Sequence, residues 1–233
     1  MAARVVLVTR PLPEAEATAV LLAELGWTPL LAPALRIEPR ELRLPPVPIQ
    51  AVLLTSANAV PSLPASLHGR PLLAVGDATA ARARAAGFWR VSSAGRDAAA
   101  LAALLPMAAD PERGALLLVV GEGQGLGLAA AARARGFEVI RRVGYAAHPV
   151  GVLPAAAAAA LRDGLVAAAL FFSAMSAQAF GRAVTRHRIA QTFARVRAVA
   201  LSPAVAAALP PLPFADIRVA SAPTQDELLA CLT

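Results

Sequence analysis

Small polar residues follow several Val/Leu-rich runs, at the points where the sequence predicts that a buried strand gives way to a helix. In open parallel α/β sheets, ligands bind beyond the carboxyl ends of the strands. These positions therefore predict a polar binding surface. The candidate binding residues are Thr9, Arg10, Ser56, Asn58, Gly76, Thr79, Gly121, Glu122, Ser173 and Ser176.

The chemistry that suits these residues is anion binding. A helix N-terminus offers free backbone N–H groups and a partial positive charge, which attract carboxylate or phosphate. Each Ser, Thr or Asn taken alone is also an ordinary helix N-cap. The prediction depends on repetition, because several such turns directed into one cleft would form a large anion-binding surface.

Several other chemistries are not supported by the residue pattern. The segment Gly121–Gly127 has the glycines of a phosphate loop but lacks the following Lys-Ser/Thr and the GxGxxG spacing. No GxSxG motif is present, and the single cysteine, Cys231, excludes a disulfide or CxxC site within the chain. The histidines have no metal-ligand spacing; they are His68, His148 and His187.

The elements that carry these residues occur twice along the chain. A strand, a helix and a stop glycine come first in each half, and the stop glycines, Gly26 and Gly136, differ by 136 − 26 = 110 positions. The segment Val52–Val60 then pairs with Ala169–Ala177, and Leu73–Ala80 pairs with Val199–Ala206. Because the order of elements is preserved, the sequence predicts an internally duplicated α/β protein with two lobes and parallel sheets.

The predicted boundaries follow from the apolar runs. Strands are expected at Val5–Val8, Leu116–Val120 and Phe137–Ile140, and helices at 13–25 and up to about Arg135. A last helix is expected after Thr224, its predicted N-cap.

Composition restricts the function further. The formal charge is +7, but every basic residue is Arg, and the arginines are scattered without interleaved aromatic residues. No nucleic-acid partner is therefore expected, and nucleic-acid binding remains only an alternative. The uncharged run Gly164–Phe180 predicts a buried strand followed by a helix rather than a membrane span. No segment with the pattern of a secretion signal is seen, so a cytoplasmic location is expected.

The ordered set of motifs resembles the uroporphyrinogen-III synthase family. The resemblance covers essentially the whole chain, and it is carried by Val8-Thr9-Arg10-Pro11, Leu54–Val60, Val75–Ala80, Gly144-Tyr145, Phe172-Ser173 and Ala222-Pro223-Thr224. Three positions depart from the family pattern. Gly125 stands where members often carry Arg, and Ser202 and Val205 replace the Gly and Thr of the second Val-Gly-x-x-Thr motif.

The resemblance implies two flavodoxin-like or Rossmann-like lobes joined by two extended strands. Lobe one would comprise residues 1–35 and 149–233, and lobe two residues 39–144, with linker strands at 34–39 and 143–148.

The resemblance also implies a reaction, in which the linear tetrapyrrole hydroxymethylbilane closes to uroporphyrinogen III with inversion of the last pyrrole ring and loss of water. This activity belongs to a lyase of porphyrin and heme biosynthesis that uses no metal or organic cofactor. A monomer with transient contact to the upstream hydroxymethylbilane synthase is expected, without a membrane partner.

Tyr145, the only tyrosine of the chain, matches the functional tyrosine of the family. The resemblance implies that its hydroxyl donates a proton or a hydrogen bond to the leaving hydroxyl group. The alternative for Tyr145 is a purely packing role. The alternative for the chain is a non-catalytic two-lobed binding or regulatory module for a small anion or a tetrapyrrole.

Overall fold

The computed structural model describes residues 5–95 and 97–233. The strands are β1 Val5–Val8, β2 Thr28–Leu31, β3 Leu35–Pro39, β4 Ile49–Leu54, β5 Leu72–Ala74, β6 Val91–Ser93, β7 Ala115–Gly121, β8 Val139–Pro149, β9 Val166–Phe171, β10 Arg197–Ala200 and β11 Asp216–Val219. The α-helices are α1 Glu14–Glu24, α2 Asp77–Ala85, α3 Ala98–Ala108, α4 Leu126–Arg133, α5 Ala155–Arg162, α6 Ala174–His187, α7 Pro203–Ala207 and α8 Gln225–Ala230.

The chain divides into two compact units, each with its own mostly parallel sheet. Unit 1 comprises the chain up to Arg36 together with His148–Thr233, and unit 2 comprises Ile37–Ala147. The unit 1 sheet has the order β11-β10-β9-β1-β2, and the other sheet has the order β3-β8-β7-β4-β5-β6. The α/β class with parallel sheets, predicted from the alternating pattern, is confirmed.

The duplicated sequence is divided between the two sheets. The first repeat supplies β1 and β2 to one sheet and β4, β5 and β6 to the other, and the second repeat does the reverse with β7 to β11. Both sheets therefore contain the order 2-1-3-4-5 of a flavodoxin-like core, with one strand pair from one repeat and three strands from the other. The strand order reverses between β1 and β9 in unit 1 and between β7 and β4 in unit 2.

Burial explains why these runs form strands. Every residue of β1 and β7 is buried, as expected for parallel strands that are covered by helices on both faces. In unit 2, alternate residues of the sheet contribute to separate core clusters on its two faces, so that Leu117 and Val119 belong to one cluster and Leu116 and Leu118 to the other. The two faces of this sheet are thus packed mostly with Val, Leu and Ala.

The helix ends follow the predicted chemistry. The stop glycines Gly26 and Gly136 have φ of 78° and 87°, the left-handed conformation that glycine adopts most easily. The Thr224 hydroxyl accepts a hydrogen bond from the Glu227 N–H, which confirms the predicted cap of α8. Gly125 also has a positive φ of 81°, and a Cβ there would lie 2.5 Å from Val120 Cγ1, so this turn excludes a larger residue.

Two elements differ from the prediction. The strand predicted at Phe137–Ile140 begins at Val139 and continues to Pro149. Its residues pair with β7 up to Tyr145, which aligns with Gly121, and β3 is its neighbour on the other side. After β4, a 3-10 helix at Ala57–Ser62 takes the place of the α-helix that follows the matching strand β9. Pro61 lies inside this short helix and removes one backbone donor.

The segments predicted to join the lobes are both strands. Arg40 N donates to Gly144 O at 2.8 Å, and Val150 N donates to Ala34 O at 3.0 Å. That these two strands link the lobes, and where the lobes begin and end, stay predictions. None of the helices in residues 5–95 and 97–233 has the length and apolar composition needed to cross a membrane, and the run Gly164–Phe180 contains β9 and the beginning of α6.

Candidate active site

The carboxyl edge of the unit 1 sheet has Thr9 at the point where the strand order reverses. Thr9 follows β1, is fully buried, and donates a hydrogen bond from its hydroxyl to Leu170 O of β9 at 2.6 Å. The hydroxyl therefore holds the two strands together. A direct contact between this hydroxyl and a ligand stays a prediction, and it would require that the bond break.

Replacement of Thr9 by Val is expected to lower the free energy of unfolding by about 1–2 kcal/mol, because it removes a buried hydrogen bond and leaves the acceptor with one donor fewer. Chemical denaturation measures this change. Thr185→Val is the matched control, since the exposed Thr185 donates only to Gly181 O within its own helix. Equal losses in the two variants would contradict the structural role of Thr9.

Arg10 is held by three contacts. Its Nη1 donates to Gln225 Oε1 at 2.8 Å and to Thr18 Oγ1 at 3.2 Å, and its guanidinium carbon lies 4.2 Å from the centroid of the Phe172 ring. Among the described residues, Nε and Nη2 of Arg10 have no hydrogen-bond partner, and together they form the edge of a guanidinium that binds a carboxylate side-on. The contacts fix the orientation of this edge, while the binding of a ligand carboxylate by Arg10 stays a prediction.

Burial also changes the electrostatics of Arg10. Desolvation lowers the pKa of the Arg10 guanidinium below its usual value, and the Glu14 carboxylate opposes this by raising it. The group stays charged at neutral pH, because an arginine does not deprotonate in proteins. A partly desolvated cation attracts a carboxylate more strongly than a fully solvated one.

Ser173 and Ser176 form the N-terminal cap of α6. The Ser173 hydroxyl accepts from Ser176 N at 3.1 Å and lies 2.9 Å from Ser176 Oγ, which is nearly fully buried. Ser173 directly follows Phe172, so it is close in sequence to the ring that stacks on Arg10. The structure therefore places Arg10 and Ser173 on neighbouring strand ends, after β1 and β9.

In unit 2, the predicted residues lie at the ends of β4, β5 and β7. The Ser56 hydroxyl accepts from Asn58 N at 3.2 Å and caps the 3-10 helix. Gly76 precedes α2 and supplies no side-chain cap, so the first N–H groups of α2 lack an internal partner. Within the described part of the chain, the buried Thr79 in the first turn of α2 makes no hydrogen bond through its hydroxyl.

Tyr145 lies next to the turn that follows β7. Its ring packs in a core cluster of unit 2 with 3% of the residue exposed, and its hydroxyl donates to Gln124 Oε1 at 3.3 Å. Glu122 N donates to Tyr145 O at 3.0 Å, while Glu122 itself is exposed. Arg141 Nε donates to Gln124 O at 2.7 Å and fixes the far end of this turn.

Gly121 determines the position of the Tyr145 ring. A Cβ at Gly121 would lie 2.7 Å from Cζ and 2.9 Å from the hydroxyl oxygen of Tyr145. Only glycine therefore allows the ring to approach the turn this closely. The structure brings Gly121, Glu122 and Tyr145 together, whereas a shared cleft for the two carboxyl edges stays a prediction.

Replacement of Gly121 by Ala is expected to lower the free energy of unfolding by about 1–3 kcal/mol, because the new methyl group overlaps the Tyr145 ring. Thermal or chemical unfolding checks this. Gly127→Ala is the matched control, since a Cβ there has nothing within 4 Å. A Gly121→Ala variant as stable as the Gly127→Ala variant would show that the ring moves without cost.

Sequence reasoning missed four residues that orient the candidates. Phe172 and Gln225 position Arg10 together with Thr18, and Gln124 positions the Tyr145 hydroxyl. Gln124 could have been found from its place in the Gly121–Gly127 segment. The residues 5–95 and 97–233 contain no group of three or more His, Cys, Asp or Glu side chains that could hold a metal ion.

Comparison with known proteins decides the family. The family model described as uroporphyrinogen-III synthase HemD matches residues 16–230. The chain belongs to the uroporphyrinogen-III synthase family. A comparison with curated proteins gives no significant match.

Solved structures agree with this family at the level of the fold. The chain is similar to a uroporphyrinogen-III synthetase from Helicobacter pylori, with 17% identity, a TM-score of 0.61, and coverage of 98% of this chain and 97% of that one. It is also similar to a mutant uroporphyrinogen III synthase from the extremely thermophilic bacterium Thermus thermophilus, with 21% identity, a TM-score of 0.53, and coverage of 98% and 97%. The predicted resemblance to this family is thus confirmed.

Proposed function

We propose that this chain closes hydroxymethylbilane to uroporphyrinogen III as a cofactor-independent hydro-lyase of the cytoplasm. The observation that carries the proposal is the family match over residues 16–230. Preorganised groups at the sheet edges support it, since they suit a substrate that bears eight carboxylates. We further propose that the enzyme acts as a monomer and receives its substrate from the upstream synthase.

The first chemical step is the loss of water. The carbon–oxygen bond of the hydroxymethyl group breaks and its oxygen accepts a proton and leaves as water. The pyrrole N–H of the same ring loses a proton, which restores the hydroxyl of the donor, and an electrophilic azafulvene remains. We assign the donor role to Tyr145, whose hydroxyl proton is now directed to Gln124. The hydroxymethyl oxygen would replace Gln124 as the acceptor.

Ring inversion follows from where the last ring attacks. Its substituted carbon bonds to the azafulvene carbon and gives a spiro intermediate, which fragments and closes again with the ring reversed. Much of this selectivity can come from positioning, because holding the reacting carbons in one geometry favours one closure over another. Arg10, Ser173 and the uncapped N-terminus of α2 would supply carboxylate contacts for that purpose.

A turnover experiment tests the proposal. Hydroxymethylbilane is supplied in large excess over the protein, and the uroporphyrinogen III formed per protein molecule is counted. Many product molecules per protein support the enzyme. Stoichiometric tetrapyrrole binding without product would instead support the alternative, a non-catalytic two-lobed module.

A further inference from the structure

A polar cavity lies in unit 2, at the amino ends of its strands. It has a volume of about 460 Å³, and its lining includes Gln50, Arg70, Arg90, Asp110 and Arg113. Tyr145 pairs with the other end of β7, at Gly121. We propose that this cavity binds a small polyanion that carries two or more phosphate or carboxylate groups.

The three arginines stand in a row that the sheet defines. Arg113 precedes β7, Arg70 precedes β5 and Arg90 precedes β6, while β4 lies between β7 and β5. Backbone hydrogen bonds join these strand starts, from Leu72 N to Arg90 O at 2.8 Å and from Ala115 N to Pro48 O at 2.9 Å. Neighbouring strands are about 5 Å apart, so the row spans about 14 Å of backbone.

The charges along this row are not neutralised by the protein. Within the described part of the chain, Arg70, Arg90 and Arg113 are exposed and have no ion pair or hydrogen bond through their side chains. Among the described residues that line the cavity, Asp110 is the only acidic one, and its Oδ1 accepts a hydrogen bond from Glu112 N at 3.0 Å. The lining therefore carries three positive charges against one negative charge, and a bound anion would relieve their mutual repulsion.

The loop that carries Arg113 is fixed in place. Gln50 Nε2 donates to Asp110 O at 2.8 Å and also to Gly114 O, while Gln50 Oε1 accepts from Asp110 N at 3.1 Å. Gly114 has φ of 114°, and a Cβ there would lie 2.7 Å from Pro48 O. This glycine allows the loop to pack directly on the start of β4, so Arg113 is presented from a rigid support.

The size and chemistry of the cavity define the ligand class. Its volume falls in the range that accommodates small molecules. Guanidinium groups bind carboxylate and phosphate through paired, charge-assisted hydrogen bonds. A row of three arginines favours an anion with several charged groups over a monovalent one, because a single group cannot reach all three.

Titration calorimetry of the full chain at low salt tests this proposal with tripolyphosphate and with citrate as separate probes. Saturable binding of one equivalent is expected for at least one probe, with inorganic phosphate binding more weakly. Binding of tripolyphosphate alone would assign phosphate groups to the ligand, and binding of citrate alone would assign carboxylates. The triple variant Arg70→Gln/Arg90→Gln/Arg113→Gln is expected to weaken binding at least about tenfold.

Two controls separate this site from the rest of the molecule. Arg182→Gln removes one charge from an exposed position of α6, and Arg10→Gln removes the guanidinium of the proposed substrate site. Both should keep the affinity of the unmodified chain, and the triple variant should keep the type III activity. The proposal is overturned if neither probe saturates or if the folded triple variant binds as tightly as the unmodified chain. It is also overturned if Arg182→Gln or Arg10→Gln weakens binding as much as the triple variant does.

Discussion

Replacement of Tyr145 by Phe is expected to lower kcat for type III formation by about a hundredfold or more, which is the range that general acid catalysis contributes. The variant keeps the ring, whose packing in the unit 2 core is extensive, and deletes the hydroxyl that now bonds Gln124 at 3.3 Å. The fold should therefore stay intact. Steady-state kinetics with separation of product isomers measures the change.

Two comparisons distinguish proton donation from packing at Tyr145. The thermal midpoint of Tyr145→Phe should stay close to that of the unmodified chain, because one long hydrogen bond is lost without a cavity. KM should change much less than kcat, since the hydroxyl acts on the leaving oxygen and not on the carboxylates. A Tyr145→Phe enzyme with unchanged kcat would leave only the packing role.

Replacement of Arg10 by Gln is expected to raise KM by about tenfold to a hundredfold, the range that corresponds to losing hydrogen bonds to a charged group. The reason is the unbonded Nε–Nη2 edge, which Phe172, Thr18 and Gln225 hold in one orientation. The effect on kcat should be smaller, because Arg10 would bind a substrate carboxylate in both the ground and transition states and takes no part in the proton transfer.

Arg10→Lys and Arg182→Gln are the informative companions. Lysine keeps the charge but cannot form the bidentate contact. The KM of Arg10→Lys should therefore fall between those of the unmodified chain and Arg10→Gln. Arg182→Gln removes an exposed charge on α6 and should leave KM unchanged. If Arg10→Gln has the same KM as the unmodified chain and is stably folded, Arg10 is not a substrate ligand.

Sequence patterns predicted the elements better than their assembly. Buried parallel strands such as β1 and β7 are continuous apolar runs, and the stop glycines mark left-handed turns. Both features can be recognised from the sequence alone. The prediction ended one strand at Ile140 and placed a separate linker strand at 143–148, whereas β8 is continuous from Val139 to Pro149. The strand continues because backbone pairing with β7 does not depend on apolar side chains.

For the candidate site, too, the sequence predicted the location of polar residues but not the contacts that they make. Strand ends were the right places to look for polar groups, since the chain direction fixes which edge they reach. The sequence could not show that the Thr9 hydroxyl turns into the sheet toward Leu170, because that contact joins residues 161 positions apart. For the same reason, the support of Arg10 by Gln225, 215 positions away, depends on the discontinuous assembly of unit 1.

The most direct test of the synthase activity is the identity of the cyclised product. Hydroxymethylbilane is incubated with the purified chain and, in parallel, without protein, and the oxidised porphyrins are separated by isomer. Unassisted closure gives the symmetrical type I isomer, so the synthase activity predicts a shift to type III that depends on the protein. Formation of type I alone, with protein shown to be folded, would contradict it.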